Sequence, residues 1–177
     1  MTDKKKILIA YYSRAGNNYF GSGIVDLPVG NTEVAMREIA RLTGGDLFKI
    51  EPVKKYSSDY TVCTEEAKRD LRANLRPELV NNLPAIDAYE VILLGYPNYW
   101  GTMPMPVWTF LESHDFSGKT ILPLCTHEGS GLGCSENDIQ KLCPTAKLLP
   151  GLAVRGSTVK NSVGEIEAWL KRNGLLA

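Results

Sequence analysis

The chain has 177 residues, with 20 Lys and Arg against 20 Asp and Glu and a sequence pI near 6.7. That length suits one domain with a sizeable core, so residues 1–177 are read as a single domain. The charge balance lacks the basic excess of nucleic-acid binders, and no segment approaches the roughly 20 apolar residues that span a bilayer, so neither nucleic acid nor membrane is expected as a partner.

Lys4-Lys5-Lys6 reads as a solvated lead-in to a strand. The apolar run that follows is shorter than a signal-peptide core and has no cleavage pattern, so a cytoplasmic protein is expected. Ile7 to Tyr12 is almost wholly apolar, as in a strand buried on both faces of a parallel sheet. It runs into Ser13-Arg14-Ala15-Gly16-Asn17-Asn18, and a helix is predicted from Gly30-Asn31-Thr32 to about residue 43, ended by Gly44-Gly45. Free N–H groups and a positive helix end make that junction an anion site, with Ser13, Thr32 and the Arg14 cation beside it. Residues 16–29 are read as an inserted loop: a lid, a partner surface or a plain excursion.

Asp46 to Ile50 alternates and predicts the second strand, and the charged helical spacing of 61–75 predicts a surface helix ending before Pro77. Val91 to Tyr96 is the third strand. A helix over 104–112 carries Pro104 and Pro106 in its first turn. Thr120 to Cys125 is the fourth strand, Ser135 caps a helix to about Cys143, residues 147–155 supply the fifth strand, and Ser162 caps a closing helix with Ile166, Trp169 and Leu170. The whole reads as an α/β fold: a doubly wound, five-stranded parallel sheet with helices on both faces.

Cys63, Cys125, Cys134 and Cys143 lack any C-x-x-C pair, so no metal site is expected. Cys63 and Arg69 match the C-x5-R spacing of a phosphatase loop, but the intervening Glu65-Glu66-Ala67-Lys68 reads as helical, has no glycine and would repel phosphate, so the match is chance. His114, beside Asp115, is read as a surface residue.

In such sheets, ligands bind beyond the carboxyl ends of the strands. Three loops leave strand ends there: Ser13 to Thr32, Tyr96 to Pro104, and Thr126 to Gly133. Tyr99 and Trp100 suit stacking on a planar ring, one of them being an equal candidate for packing under the helix that follows, and Gly101 allows close backbone approach. The glycines of Gly129-Ser130-Gly131-Leu132-Gly133 suggest a flexible wall of peptide groups. This run lacks the dinucleotide spacing G-x-G-x-x-G and follows the fourth strand.

The S-x-x-G-N-[TN] element after the first strand, Pro97-Asn98-Tyr99-Trp100-Gly101 and Thr126-His127-Glu128-Gly129-Ser130-Gly131-Leu132-Gly133 together resemble the flavodoxin-like FMN-binding proteins over essentially the whole chain. The resemblance implies strand order 2-1-3-4-5, for which flavodoxin is itself the standard illustration. It also implies that Ser13, Arg14, Ala15, Asn31 and Thr32 hold the FMN phosphate, Gly30-Asn31-Thr32 being preferred over Gly16-Asn17-Asn18 because it precedes the helix. Pro97, Asn98, Tyr99, Trp100 and Gly101 would flank the isoalloxazine on one side, with Thr126, Glu128, Ser130, Gly131 and Gly133 opposite. No catalytic residue is assigned: His127 and Glu128 read first as loop-shaping groups, and a carboxylate such as Glu128 near the ring would lower its potential.

The implied function is a redox protein carrying electrons through non-covalently bound FMN, to a partner protein or a small-molecule donor or acceptor. The first alternative is an NAD(P)H-dependent oxidoreductase acting on quinones or nitro compounds. The second is a non-redox signalling module, for which the acidic pair a receiver needs after its first strand is replaced by Ser13 and Arg14. The neutral composition differs from that of the strongly acidic flavodoxins that replace ferredoxins.

Overall fold

The computed structural model describes residues 5–80 and 85–177, so Lys4 of the basic lead-in lies outside the described residues. Strand β1 (Ile7–Tyr11) is fully buried and pairs in parallel with β4 (Asp46–Lys49) on one side and β5 (Val91–Pro97) on the other. Strand β6 (Thr120–His127) continues the sheet beside β5. The outer edge of β6 carries β7 (Lys147–Leu148) along its first residues and β8 (Leu152–Arg155) along its last. The order β4-β1-β5-β6-β7/β8 is the flavodoxin-like order expected.

The single fifth strand of the sequence reading is thus two short strands. Pro150 lacks a ladder donor, and Gly151 leaves the ladder to donate its N–H to Glu136 Oε1 at 2.6 Å. Trp169 Nε1 donates to the Pro150 carbonyl at 3.1 Å, fixing the break.

Alternate residues of β1 serve opposite cores. Ile7, Ile9 and Tyr11 pack with Met36 and Ile39 of helix α1 (Asn31–Thr43) and with Ile166, Trp169 and Leu170 of α5 (Val163–Arg172). Leu8, Ala10 and Tyr12 pack with Val107, Phe110 and Leu111 of α3 (Met105–Glu112) and Ile139 of α4 (Ser135–Leu142). Each buried Leu or Ile contributes about 1.5–3 kcal/mol, so both faces of the central strands are heavily stabilised. Helix α2 (Tyr60–Arg72) packs beside α3 and is capped by Asp59, whose side chain accepts from Val62 N at 2.9 Å.

Residues 16–29 are not a loop. They form an antiparallel hairpin, β2 (Gly16–Phe20) and β3 (Gly23–Leu27), as a separate two-stranded sheet. The hairpin leans on α2: Asn17 Oδ1 accepts from Tyr60 N at 3.1 Å, and the Tyr19 and Tyr60 rings lie 6.2 Å apart.

Several local expectations change in detail. Ser135 is the first residue of α4, not its cap, and its hydroxyl donates to Leu132 O while accepting from Tyr96 OH at 2.8 Å. Ser162 precedes α5, but its hydroxyl donates back to Thr158 O at 3.1 Å. His114 is half-buried, its ring 5.1 Å from that of Phe110 and 6.2 Å from Phe116. No helix among the described residues is long and apolar enough to cross a membrane.

Candidate functional site

The three strand-end loops meet at the carboxyl edge of the sheet, around a cleft of about 640 Å³. That volume lies within the range of roughly 300–1,000 Å³ typical of small-molecule sites. All the expected residues line it except Ala15, Gly131 and Gly133.

At one end of the cleft is the start of α1. Gly30 is its cap residue, and any side chain there would overlap Ser13 Oγ and the Arg14 carbonyl, so glycine is what lets the first loop close on the helix. Ser13 Oγ accepts from Glu33 N at 3.1 Å, and Val34 N bonds to Gly30 O. The N–H groups of Asn31 and Thr32 make no such bond among the described residues, which leaves them open at the positive end of the helix. The buried hydroxyls of Thr32 and Thr126 lie 2.6 Å apart. One proton bridges the pair and the other is free to donate, so donors converge here as a phosphate requires.

Arg14 lines the same end, but every donor of its guanidinium meets the protein. Nη2 reaches Ser57 O and Ser58 O at 2.8 Å, Nε reaches Ser57 O at 3.3 Å, and Nη1 reaches Asn17 O and Asn18 Oδ1. Its charge stands beside the helix end, while its hydrogen bonds clamp the hairpin to the turn before α2.

In the second loop the adjacent aromatics part company. The Tyr99 ring turns inward, 5.9 Å from Tyr12 and 6.3 Å from Tyr56, and burial pushes its phenol well above the ordinary value. Trp100 turns outward at φ +56°; its Nε1 donates to Thr64 O at 2.8 Å and Lys68 Nζ stands 4.8 Å from its ring centre. The helix it packs on is therefore the earlier α2. Asn98 holds the second and third loops together, its Nδ2 donating to Gly131 O at 2.8 Å and its Oδ1 accepting from Gly101 N at 2.9 Å.

The residues that miss the cleft do so for clear reasons. Gly131 offers its carbonyl to Asn98, and Gly133 abuts the Gly101 backbone so tightly that no Cβ fits. Ala15 is exposed at the base of the hairpin.

Glu128 lines the cleft, yet its carboxylate accepts from Ser157 N at 2.6 Å and Ser157 Oγ at 3.0 Å, with Arg155 at 3.8 Å, so it fastens the loop as well. His127 Nδ1 accepts from Gly129 N at 2.8 Å, which places its remaining proton on Nε2. Burial lowers its pKa, Arg155 adds to the lowering, and Glu128 opposes it.

The cleft also recruits residues outside the three loops: Asn18 and Tyr19 of the hairpin, Tyr60, Cys63, Thr64 and Ala67 of α2, and Gly156 after β8. The i, i+3, i+4, i+7 spacing of the α2 residues marks one helix face, a signal present in the sequence. That this face looks onto a cleft depends on where the hairpin and Trp100 hold the helix.

No match is found among curated proteins. Among solved structures, a candidate flavoprotein from Bacteroides eggerthii shares 28% identity over 95% of this chain and 97% of its own, at a TM-score of 0.77. Another, from Bacteroides uniformis, shares 26% over 96% and 99%, at 0.76. A flavoprotein from Lactobacillus acidophilus solved in complex with FMN has the same fold, at 20% identity over 89% and 97% and a TM-score of 0.67. The flavodoxin family model matches residues 6–173. Because that match runs from just before β1 to just beyond α5, it takes in every loop around the cleft, and the chain belongs to the flavodoxin family.

Proposed function

We propose that the chain is a one-domain cytoplasmic redox protein that binds FMN non-covalently in this cleft and carries electrons between a donor and an acceptor. The observation that carries the reading is the convergence at one cleft of three strand-end loops with the open N–H groups of Asn31 and Thr32. The residues present suit such a group: a Cβ at Gly30 would fill the turn that the phosphate end needs, and hydroxyls at Ser13, Thr32 and Thr126 converge there.

FMN, when bound, supplies one- and two-electron redox chemistry, while the protein sets its orientation, hydrogen bonding and exposure. Ser13, Asn31 and Thr32 would hold the phosphate, with the Arg14 charge adding attraction. Pro97 to Gly101 and Thr126 to Ser130 would flank the ring system. Tyr99, packed on Tyr12 and Tyr56, gives the second loop a rigid base and keeps water from its inner side. Asn98 keeps the two ring-facing loops at a fixed separation.

An absorbance spectrum of the purified protein, followed by titration of stripped protein with FMN and riboflavin, tests the reading. Saturable quenching of flavin fluorescence, tighter for FMN, is expected; a protein that takes up neither ligand overturns it.

One observation favours the NAD(P)H-dependent oxidoreductase as a second reading: the cleft extends past the three loops onto α2 and the hairpin, which gives a second small molecule wall to lie against. Rapid bleaching of bound FMN by NAD(P)H alone would select that reading over electron carriage.

A further inference from the structure

The β2–β3 hairpin leaves the body of the protein at the phosphate end of the cleft, where Ser13 and Arg14 lead into it and Gly30 leads out to α1. Strand β2 has five residues, roughly 17 Å of extended chain. Along it Asn18 and Tyr19 line the cleft. Its turn comes down on the far side, against the 3-10 helix Gly156–Asn161: a Cβ on Gly21 would lie 3.9 Å from that of Ser157. We propose that the hairpin is a strap across the phosphate end, hinged at its base and opening at its tip, which must lift for FMN to enter or leave. The proposal rests on the FMN reading above and adds how the site is loaded and emptied.

The two ends of the strap are held differently. At the base, Arg14 Nη2 donates to Ser57 O and Ser58 O, Asn18 Nδ2 donates to Arg14 O at 2.9 Å, and Asn17 Oδ1 accepts from Tyr60 N. At the tip no hydrogen bond joins residues 16–27 to 156–161 among the described residues, and Gly21 meets Ser157 by van der Waals contact alone. Each dispersion contact is individually tiny, so the tip parts before the base does. Gly16, at φ +83°, stands where β2 leaves the anchored end, and a residue without a Cβ takes up the backbone rotation a hinge needs.

The strap also has little stability of its own. A two-stranded sheet is marginal without a third strand or a packed face. Tyr19, Ile24 and Val25 are 41%, 49% and 40% exposed, so much of its apolar surface stays in water. Segments of this kind open locally at a small fraction of the free energy of global unfolding. What the strap encloses is set by its base. The open N–H groups of Asn31 and Thr32 lie between that base and Gly156, whose Cβ, if it had one, would stand 2.5 Å from Asn31 Nδ2. At the other end of the cleft Trp100 remains 49% exposed. A closed strap therefore retains the phosphate while leaving the ring end reachable.

The test is a crosslink across the tip. A Cβ separation of 3.9 Å falls within the roughly 3.5–4.5 Å that a disulfide spans. Gly21→Cys/Ser157→Cys is therefore made together with Cys134→Ser, which removes the exposed native thiol. The same full chain is compared after oxidation with diamide and after reduction with a phosphine, so the strain of a side chain at φ +69° is common to both forms. Stopped-flow flavin fluorescence gives the rates of FMN uptake and release. Oxidation should slow both by about tenfold or more, and reduction should restore them. Asn17→Ala loosens the anchored end and should speed both by about two- to tenfold, and it carries the test if the disulfide does not form. Rates that are equal in the two redox forms overturn the proposal, as do parental rates in Asn17→Ala where that variant carries the test. Release slowed with uptake unchanged also overturns it, because the hairpin is then a fixed wall. A reduced chain that takes up no FMN overturns the cofactor reading as well, a result distinct from one in which FMN binds and the crosslink changes nothing.

Discussion

The hydroxyls of Thr32 and Thr126 meet at 2.6 Å, tying the first turn of α1 to the end of β6 under the floor of the cleft. Both residues are almost wholly buried, at 2% and 4% exposure. Replacing Thr32 by Val removes one hydroxyl and leaves the other buried without its partner, at a cost of about 1–3 kcal/mol. It also removes a donor from the phosphate end. We therefore expect Thr32→Val to weaken FMN by about tenfold or more while riboflavin, which lacks the phosphate, changes by about twofold at most. Parallel fluorescence titrations decide the matter, and equal losses for the two ligands would contradict the phosphate assignment.

Gly131 and Gly133 look interchangeable in the sequence and are not so in the structure. Both have positive φ, +63° and +56°. A side chain at Gly131 meets open space, whereas one at Gly133 would overlap the Gly101 carbonyl that accepts from Cys134 N at 2.7 Å. Gly131→Ala should cost about 1–2 kcal/mol from backbone strain alone. Gly133→Ala should cost more, through separation of the second and third loops, and should weaken FMN as well. Denaturant melts of the two variants give the ordering, and equal losses would show that the loops do not depend on this contact.

The strands and the three loops were legible because their signals are local: apolar runs of strand length, and glycines with polar residues where those runs stop. The hairpin was not, because Asn17 and Asn18 interrupt any apolar alternation and the two strands are stabilised by contacts with α2 some forty residues away. The fates of Tyr99 and Trp100 were equally hidden. Both have the chemistry to stack on a ring, and only the positive φ of Trp100 and the waiting Thr64 carbonyl send them in opposite directions. Of the site itself, residue types were readable and orientations were not: Arg14 and Glu128 have the charges expected of them, and their hydrogen bonds go to the protein.

Arg14 therefore makes a prediction different from that of a simple phosphate ligand. Lysine keeps the charge and loses the planar fork that reaches Ser57 and Ser58. Hydrogen bonds to charged groups contribute about 1.5–3 kcal/mol, so Arg14→Lys should release the hairpin from the turn before α2. Amide exchange should quicken at residues 16–20 and 57–60, and FMN and riboflavin should weaken by similar factors, about three- to tenfold. A loss confined to FMN would mean that the guanidinium acts mainly on the phosphate.

Both histidines have depressed pKa values, and this gives the protein a defined acid sensitivity. Burial against Phe110 and Phe116 lowers His114, and burial, reinforced by Arg155, lowers His127. Protonating His127 at Nδ1 would also break its bond from Gly129 N. The unfolded chain, with histidines near pKa 6.5, then binds more protons than the folded one at mildly acid pH. Stability from these groups is fully present above about pH 6.5 and is lost as pH falls below that value through the folded pKa values. The carboxylates of Glu38, Glu112 and Asp115 are held low by Arg41, Arg76 and Ser117, so their contribution fades only at lower pH, below the usual carboxylate range. Denaturant midpoints between about pH 7.5 and 5.5 should accordingly fall for the parent and fall less steeply for His114→Gln/His127→Gln. In NMR titrations His127 should hold the Nε2–H tautomer with a pKa below that of a free histidine; a His127 pKa above 6.5, or slopes that match in parent and variant, would remove the histidines as the source of the acid sensitivity.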